Sequence, residues 1–406
     1  MMRKRALVGL AAVALLATGL SKTVPAADDV TIGFAIALSG WMNAYDGPPL
    51  NGSKMAIDEF NAQGGILGKQ IKAVIADTKT DVVEGAKAGA EVIAKGAQFV
   101  AVSCDYDMGA PAATVANDNK IIAISYCASD AKMGVQGIGP YVFSLEIFGQ
   151  GEGAVGAAYA WKRGWKKAYA ILDASIEYDK SVCDGFLEYF TKLGGEIIGA
   201  DTFMQEDASI ASQITRYKDA AASKGEPEVL ILCSYIPGAA SAIRQIRAAG
   251  INVPIIGGDS MDGDYWVQSV PGLNEHYAVT FGSKWGDDPR PEVNDFFKRY
   301  REKHGEPESS FPLNGYSMVQ AIKIAAERAG SLETEAVLAE LNKFTAEPLL
   351  WGATTFTPET HIDLVHPMTV VQIQNGKGSF ADQITVSDPP NLKLIFPEFR
   401  ADLYKK

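Results

Sequence analysis

Asp105 and Asp107 flank Tyr106 directly after an apolar run, and paired carboxylates at the end of a strand are the raw material of general acid–base work. The plainer reading is that one of them caps the helix that follows, leaving the other to face a cleft or water. Gly151-Glu152-Gly153-Ala154-Val155-Gly156 fits GxGxxG, follows a strand, opens a helix, and is followed by Asp173 at the end of the next strand. That is the pattern of dinucleotide binding; the alternative is a glycine-rich crossing from one unit into another. The run GGILGK at 64–69 is one residue short of a phosphate loop, lacks a following Ser or Thr, and joins helix to strand, so it reads as a turn. The four histidines and four cysteines are scattered without zinc spacing, and no GxSxG elbow is present. The chain is expected to be no enzyme, with no cofactor and no metal.

These groups are carried by alternating strands and helices. The run VTIGFAIALSG from Val30 is a buried strand feeding a loop at 39–49 that holds Trp41 and Tyr45. Helical periodicity follows over 50–61, with Met55, Ile57 and Phe60 at apolar positions, and a second strand covers 70–77. This is a βαβ unit, right-handed in its connection, and a parallel sheet places ligands at the carboxyl ends of its strands. The loop at 39–49 is therefore the first piece of a pocket. Further helices are predicted at 81–95 and to 117, with strands at 99–103, 121–125 and 141–148. The pattern then restarts, with helices at 151–163, 180–193, 210–223 and 238–249, and strands at 167–173, 196–203, 229–233 and 255–257. A strand at 277–282 leads back to helices at 291–303, 312–329 and 333–343, and strands at 353–356 and 367–374 complete the pattern. Cys104 and Cys127 each follow a strand, and those strands are expected to be neighbours. A disulfide is permitted there in an oxidising compartment, and so are two buried thiols; Cys183 and Cys233 are read as core residues.

A strand ending in Ser39-Gly40, Tyr45 a few residues on, and a helix closing on DEFNAQGGILGK before a strand ending in Asp77 resemble the start of type I periplasmic solute-binding proteins. The resemblance is to the branch that contains leucine/isoleucine/valine and amide-binding receptors of ABC importers, and it continues to about Gln383. It implies an α/β fold of two Rossmann-like lobes with parallel sheets, three hinge crossovers and a ligand cleft between the lobes. The implied division is 1–26 signal peptide, 27–147 plus 281–352 lobe 1, 148–280 plus 353–385 lobe 2, and an unassigned tail at 386–406. The ligand-binding positions it implies are Trp41, Tyr45, Asp105, Tyr106, Cys127, Ser129, Tyr178, Tyr235 and Asp259, with Phe148 and Gln150 near the hinge. Asp259 matches the acidic residue that meets a ligand ammonium. Trp41 and Tyr45 form an apolar wall, unless they simply pack the lobe surface. The loop 104–108 departs from the family, with Asp105, Tyr106 and Asp107 where serines would grip a ligand carboxylate. A carboxylate buried beside another is repelled, so donor-rich ligands such as amides, urea-like compounds or amines fit better than a plain amino acid.

Length and composition agree with this class. The 406 residues allow two domains, 47% are hydrophobic and 21% charged, and the net charge is −12. An acidic chain lacks the basic footprint of nucleic-acid binding. Arg3, Lys4 and Arg5, the apolar run 6–20 and Val24-Pro25-Ala26 are expected to be a secretory signal peptide cleaved near Ala26. Losing its four basic residues would leave −16 on the exported chain. The expected product is a periplasmic monomer that binds a small molecule and works with ABC permease and ATPase subunits; the alternative is a sensor reporting to a signalling partner.

Overall fold

A computed structural model describes residues 29–388, so the signal-peptide region and nearly all of the C-terminal tail lie outside the described residues. In chain order the elements begin with β1 (Val30–Ile36), α1 (Asn43–Ala62), β2 (Ile71–Asp77), α2 (Val82–Ala94), β3 (Phe99–Val102), α3 (Tyr106–Asp118), β4 (Ile122–Ser125) and β5 (Val142–Ser144). A second series runs α4 (Gly149–Lys162), β6 (Lys167–Asp173), α5 (Glu177–Lys192), β7 (Glu196–Phe203), α6 (Ala211–Lys224), β8 (Val229–Cys233), α7 (Gly238–Ala248), β9 (Ile255–Gly257) and β10 (His276–Thr280). Then come α8 (Pro291–His304), α9 (Pro312–Ala329), α10 (Thr334–Leu341), a short hairpin of β11 (Glu347–Pro348) and β12 (Ala353–Thr354), β13 (Met368–Gln374) and β14 (Lys377–Ile384).

Two sheets result. The first is all parallel, in the order β2-β1-β3-β4-β5. The second is ordered β14-β13-β10-β9-β8-β6-β7, parallel from β7 to β10, with β13 and β14 added antiparallel. Strands such as β3, β4 and β8 are buried at every position, as expected of parallel strands covered by helices on both faces. In each sheet the strand order reverses once: at β1/β3 in the first and at β6/β8 in the second. That reversal parts the strand-end loops and opens a crevice at the carboxyl edge. The two crevices face each other.

Three sequence expectations change. The loop at 39–49 is mostly helix: α1 begins at Asn43 and runs through Pro48 and Pro49, so Tyr45 stands on the first turn of a helix. Proline inside a helix removes a backbone donor and disfavours helix in the residue before it; here α1 is held by its packing against α9 and by Asp46, whose carboxylate accepts from Ala37 N, Ser103 Oγ and Cys104 N at 2.6–2.8 Å. The strand at 141–148 shrinks to Val142–Ser144. Cys183 and Cys233 are buried, as core residues are, but they form a disulfide (Cα–Cα 5.7 Å) that staples α5 to β8. Cys104 and Cys127 form the second, at Cα–Cα 4.6 Å, joining the loops after β3 and β4.

The GxGxxG glycines lie within helix α4, not in a strand-to-helix turn. A Cβ on Gly153 would sit 2.0 Å from Val182 O on α5, and one on Gly185 2.1 Å from Gln150 O on α4. The two helices therefore touch backbone to backbone through reciprocal glycines. The same arrangement recurs in the first unit: a Cβ on Gly52 of α1 would meet Pro312 O at 2.0 Å, and one on Gly315 of α9 would meet Pro49 O at 1.8 Å. Overpacking such a contact typically costs ~1–3 kcal/mol, and a backbone clash more. Gly153→Val is expected to lower stability by roughly 3 kcal/mol in urea unfolding. Gly134→Ala, whose methyl would meet nothing nearer than 3.6 Å, is expected to be nearly neutral.

Candidate functional site

The two crevices meet around a cavity of about 20 Å³, lined by Trp41, Met42, Tyr45, Cys104, Asp105 and Phe311 from the first unit. Ile176, Tyr178, Tyr235, Asp259 and Ser260 line it from the second. That volume admits a single water. A larger hollow of about 440 Å³ beside the start of α7 is lined wholly by residues 203–269, from one unit only.

Each lining residue is set by the end of an element. Trp41 projects from the turn between β1 and α1, and Tyr45 from the first turn of α1. Asp105 caps α3, accepting from Met108 N at 3.0 Å, and the Cys104–Cys127 disulfide holds its loop against the loop after β4. Tyr178 stands on the first turn of α5; its hydroxyl donates to Glu152 Oε1 (3.1 Å) and accepts from Ser260 N (3.3 Å). Glu152 Oε1 also accepts from Asp259 N at 2.6 Å, tying α4 to the loop after β9. Across the cleft the Tyr45 hydroxyl donates to Ser260 O and accepts from Ile236 N, both at 2.9 Å. Trp41 and Tyr235 pack ring to ring at 4.6 Å. Asp107 Oδ2 accepts from Glu177 N at 3.0 Å, so the second carboxylate of the 105–107 pair bridges the units at a helix N-terminus.

Six of the nine sequence-derived residues line the cavity: Trp41, Tyr45, Asp105, Tyr178, Tyr235 and Asp259. Three do not. Tyr106 lies outside the lining, its ring 4.6 Å beneath Lys132 Nζ; Cys127 is consumed by the disulfide; and Ser129 is buried, its carbonyl accepting from Gly149 N at the crossing into α4 (2.7 Å). Sequence reasoning missed Phe311, which arrives from the far crossing just before the proline that opens α9. It also missed three buried acids behind the lining: Glu146 in the first crossing, Glu152 on α4 and Asp179 on α5, each fully buried. Glu152 was in view as part of the glycine motif and Asp179 as the neighbour of Tyr178, but neither loop reading assigned them a direction.

The electrostatics are one-sided. Burial raises the Asp105 carboxyl to about 7, helped by Asp107, and raises Asp259 to about 7. Burial also pushes Glu146, Glu152 and Asp179 well above the usual carboxylate range, with Asp259 beside the two glutamates and Asp173 beside Asp179 adding repulsion. Asp46 is raised to about 6, because burial outweighs its three donors. Oδ2 of Asp105, Oε2 of Glu146 and of Glu152, and both oxygens of Asp179 have no hydrogen-bond partner. The basic groups nearby are engaged elsewhere: Lys132 with Asp130 and Glu177, and Lys180 with Glu177.

A family model described as "Periplasmic binding protein" matches residues 29–378. Among curated relatives, the Leu/Ile/Val-binding protein homolog 3 of Brucella melitensis is 25% identical over 313 residues, 77% of this chain and 82% of that protein. The leucine-, isoleucine-, valine-, threonine-, and alanine-binding protein of Pseudomonas aeruginosa is 22% identical, over 82% of this chain and 87% of that one. Among solved structures, the branched-chain amino acid transporter substrate binding protein of Streptococcus pneumoniae in complex with isoleucine superposes with TM-score 0.78 at 25% identity, covering 88% of this chain and all of that one. A solute binding protein from R. palustris in complex with benzoate superposes at TM-score 0.72 and 19% identity, over 89% and 98% of the two chains. Among the described residues no helix is long and apolar enough to cross a membrane.

Carboxyls whose folded-state pKa is raised favour the fold at low pH and lose that contribution as pH rises through the folded value. For Asp105 and Asp259 that window runs from about 4, the ordinary aspartate value, to about 7. Protein prepared without ligand is therefore expected to be more stable at pH 5 than at pH 8. Asp105→Asn keeps a capping oxygen and removes the charge, so it is expected to stabilise the protein at pH 8 by roughly 2–4 kcal/mol and by only about 1 kcal/mol at pH 5. Urea unfolding at the two pH values checks both.

Proposed function

This chain belongs to the periplasmic binding protein family, and from that premise we propose that it is the extracytoplasmic solute receptor of an ABC importer. It takes a small amino-acid- or amide-like ligand between two lobes, closes about its hinge segments, and presents the closed form to a membrane permease whose ATPase is a separate subunit. The lobes are 27–147 with 281–352, and 148–280 with 353–385; residues 1–26 serve as a cleaved export signal. The receptor has no catalytic role and acts as a monomer.

The observation that carries this reading is Tyr45, which stands on the first unit and makes both of its hydroxyl hydrogen bonds to backbone of the second. Such a contact exists only when the units are closed together, which supports closure of one unit on the other as the working motion. The Trp41–Tyr235 contact occupies the same seam. A ligand larger than the 20 Å³ cavity enters by parting that seam, and it shifts the closed population only by its preference for the closed form.

Thermal unfolding against aliphatic amino acids, short amides, urea, amines and aromatic carboxylates tests the reading. A ligand at a hundred times its Kd adds about 2.7 kcal/mol, and mass spectrometry is expected to recover it unchanged. Asp259→Ala is expected to weaken that ligand at least ~30-fold, the scale of removing one partner from a buried charged contact; unchanged affinity would remove Asp259 from the site. Tyr45→Phe deletes two hydrogen bonds worth ~1 kcal/mol each. It is expected to enlarge the radius of gyration in solution scattering before ligand is added, with ligand restoring the compact value.

A further inference from the structure

We propose that the ligand of this cleft is a small organic cation, an amine bearing N–H donors and no carboxylate, held between Asp105 of one lobe and Asp259 of the other within a box of aromatic rings. The inference rests on the receptor reading and replaces its amino-acid- or amide-like ligand with an amine.

Carboxyl oxygens dominate the spare hydrogen-bonding capacity around the cleft. Three of the four lining hydroxyls are engaged within the protein: Tyr45 with Ser260 O and Ile236 N, Tyr178 with Glu152, and Ser260 Oγ with Ser234 O. The lining contains no Lys, Arg or His. What is left over is mainly carboxyl oxygen, which accepts once ionised. Asp105, only 4% exposed, lines the cavity with Oδ2 unpartnered. Behind it Asp179 has both oxygens unpartnered, and Glu146 and Glu152 have one each beside Asp259. A ligand carboxylate brought into this space would find repulsion and few donors, whereas an ammonium would meet the orphaned Asp105 oxygen directly, with the charge of the acids behind the lining favouring it.

The surroundings supply no competing cation. Around Asp105, the charged group of the first unit that lines the cleft, lie Asp46, Asp107 and Asp130, with Lys132 already paired to Asp130 and Glu177. From the second unit come Asp173, Asp179, Glu177, Asp259 and Asp262, with Lys180 held by Glu177 and buried Lys284 by Asp264 and Pro307 O. The walls suit an organic cation: Trp41, Tyr45, Tyr235 and Phe311 meet at centroid separations of 4.6–6.2 Å, and ring faces attract a desolvated ammonium. Among the described residues no three His, Cys, Asp or Glu side chains converge as metal ligands, which favours an amine over a metal ion.

Calorimetry on the mature protein with 1,4-diaminobutane, butylamine, butyramide, leucine, benzoate and calcium decides it. At least one of the two amines is expected to bind more tightly than every other probe. Its binding is expected to release protons at pH 6, read as a dependence of the heat on the ionisation enthalpy of the buffer. Affinity is expected to rise by up to about tenfold per pH unit from 5 to 7 for each carboxyl that must ionise, and Asp105→Asn to weaken it by tenfold or more. Tightest binding by leucine, benzoate, butyramide or calcium overturns the inference, as does failure of both amines to bind or an amine affinity indifferent to pH and to Asp105→Asn. Contraction of the molecule on leucine would sink this inference and leave the receptor reading standing. Chemical conversion of a bound amine would sink the receptor reading instead.

Discussion

Burying a carboxylate without a cation is among the least favourable arrangements in a protein interior, and this fold gathers several of them where its two sheets meet. Asp46, Asp105, Glu146, Glu152, Asp179 and Asp259 all lie at or near the seam with under a twentieth of their surface exposed. Much of the neighbouring architecture can be read as accommodation of that charge. Asp46 takes three donors from the ends of β1 and β3, Glu152 takes the Asp259 amide and the Tyr178 hydroxyl, and Asp105 takes an amide of the helix it caps. Each device satisfies part of a carboxyl and leaves the remainder to protonation or to a bound molecule.

Such a seam needs rigid walls, because a loop that relaxes by an ångström would let water reach the acids. The reciprocal glycine contacts bring α4 onto α5 and α1 onto α9 at backbone distance, fixing the very helix turns that carry Glu152, Asp179 and Tyr45. The disulfides act at the same level: one joins the loop of Asp105 to the loop after β4, the other joins α5 to the strand that precedes Tyr235. The units are joined at crossings where Phe148 N bonds to Asp363 O (3.1 Å) and Gly149 N to Ser129 O, and the receptor reading puts its hinge there. A stiff lobe on a compliant crossing is what hinge closure requires.

Periodicity and turn chemistry made most of the fold legible in advance, and the resemblance carried the lobe arrangement. Alternating apolar strands and amphipathic helices named almost every element, and Asp81 and Asp105 marked helix starts they do cap. Local signals misled where tertiary packing overrode them. The loop expected at 39–49 is mostly the start of α1, which runs through two prolines, while of the two readings open for GxGxxG the glycine-rich crossing agrees with the glycines' place in α4. In the last unit β14 (Lys377–Ile384) has no clear alternation, its residues being mostly half-buried on a sheet edge, and so it was not separated from the segment around it.

By itself, then, the sequence determined the class of fold, the strand-end loops that line the cavity between the units, and an acidic substitution at 105–107 that argues against gripping a carboxylate. It determined these because they depend on residue type and local order. Only the tertiary structure decided which of the two acids enters the cleft, Asp105 lining it and Asp107 bridging to α5. It also decided that Cys183 meets Cys233, and that Glu146, Glu152 and Asp179 converge from a crossing and two helices upon Asp259. Burial and direction are properties of the packed molecule: whether a carboxylate is a solvated charge or an unpartnered one is set by what covers it, and its covering comes from residues up to two hundred positions away.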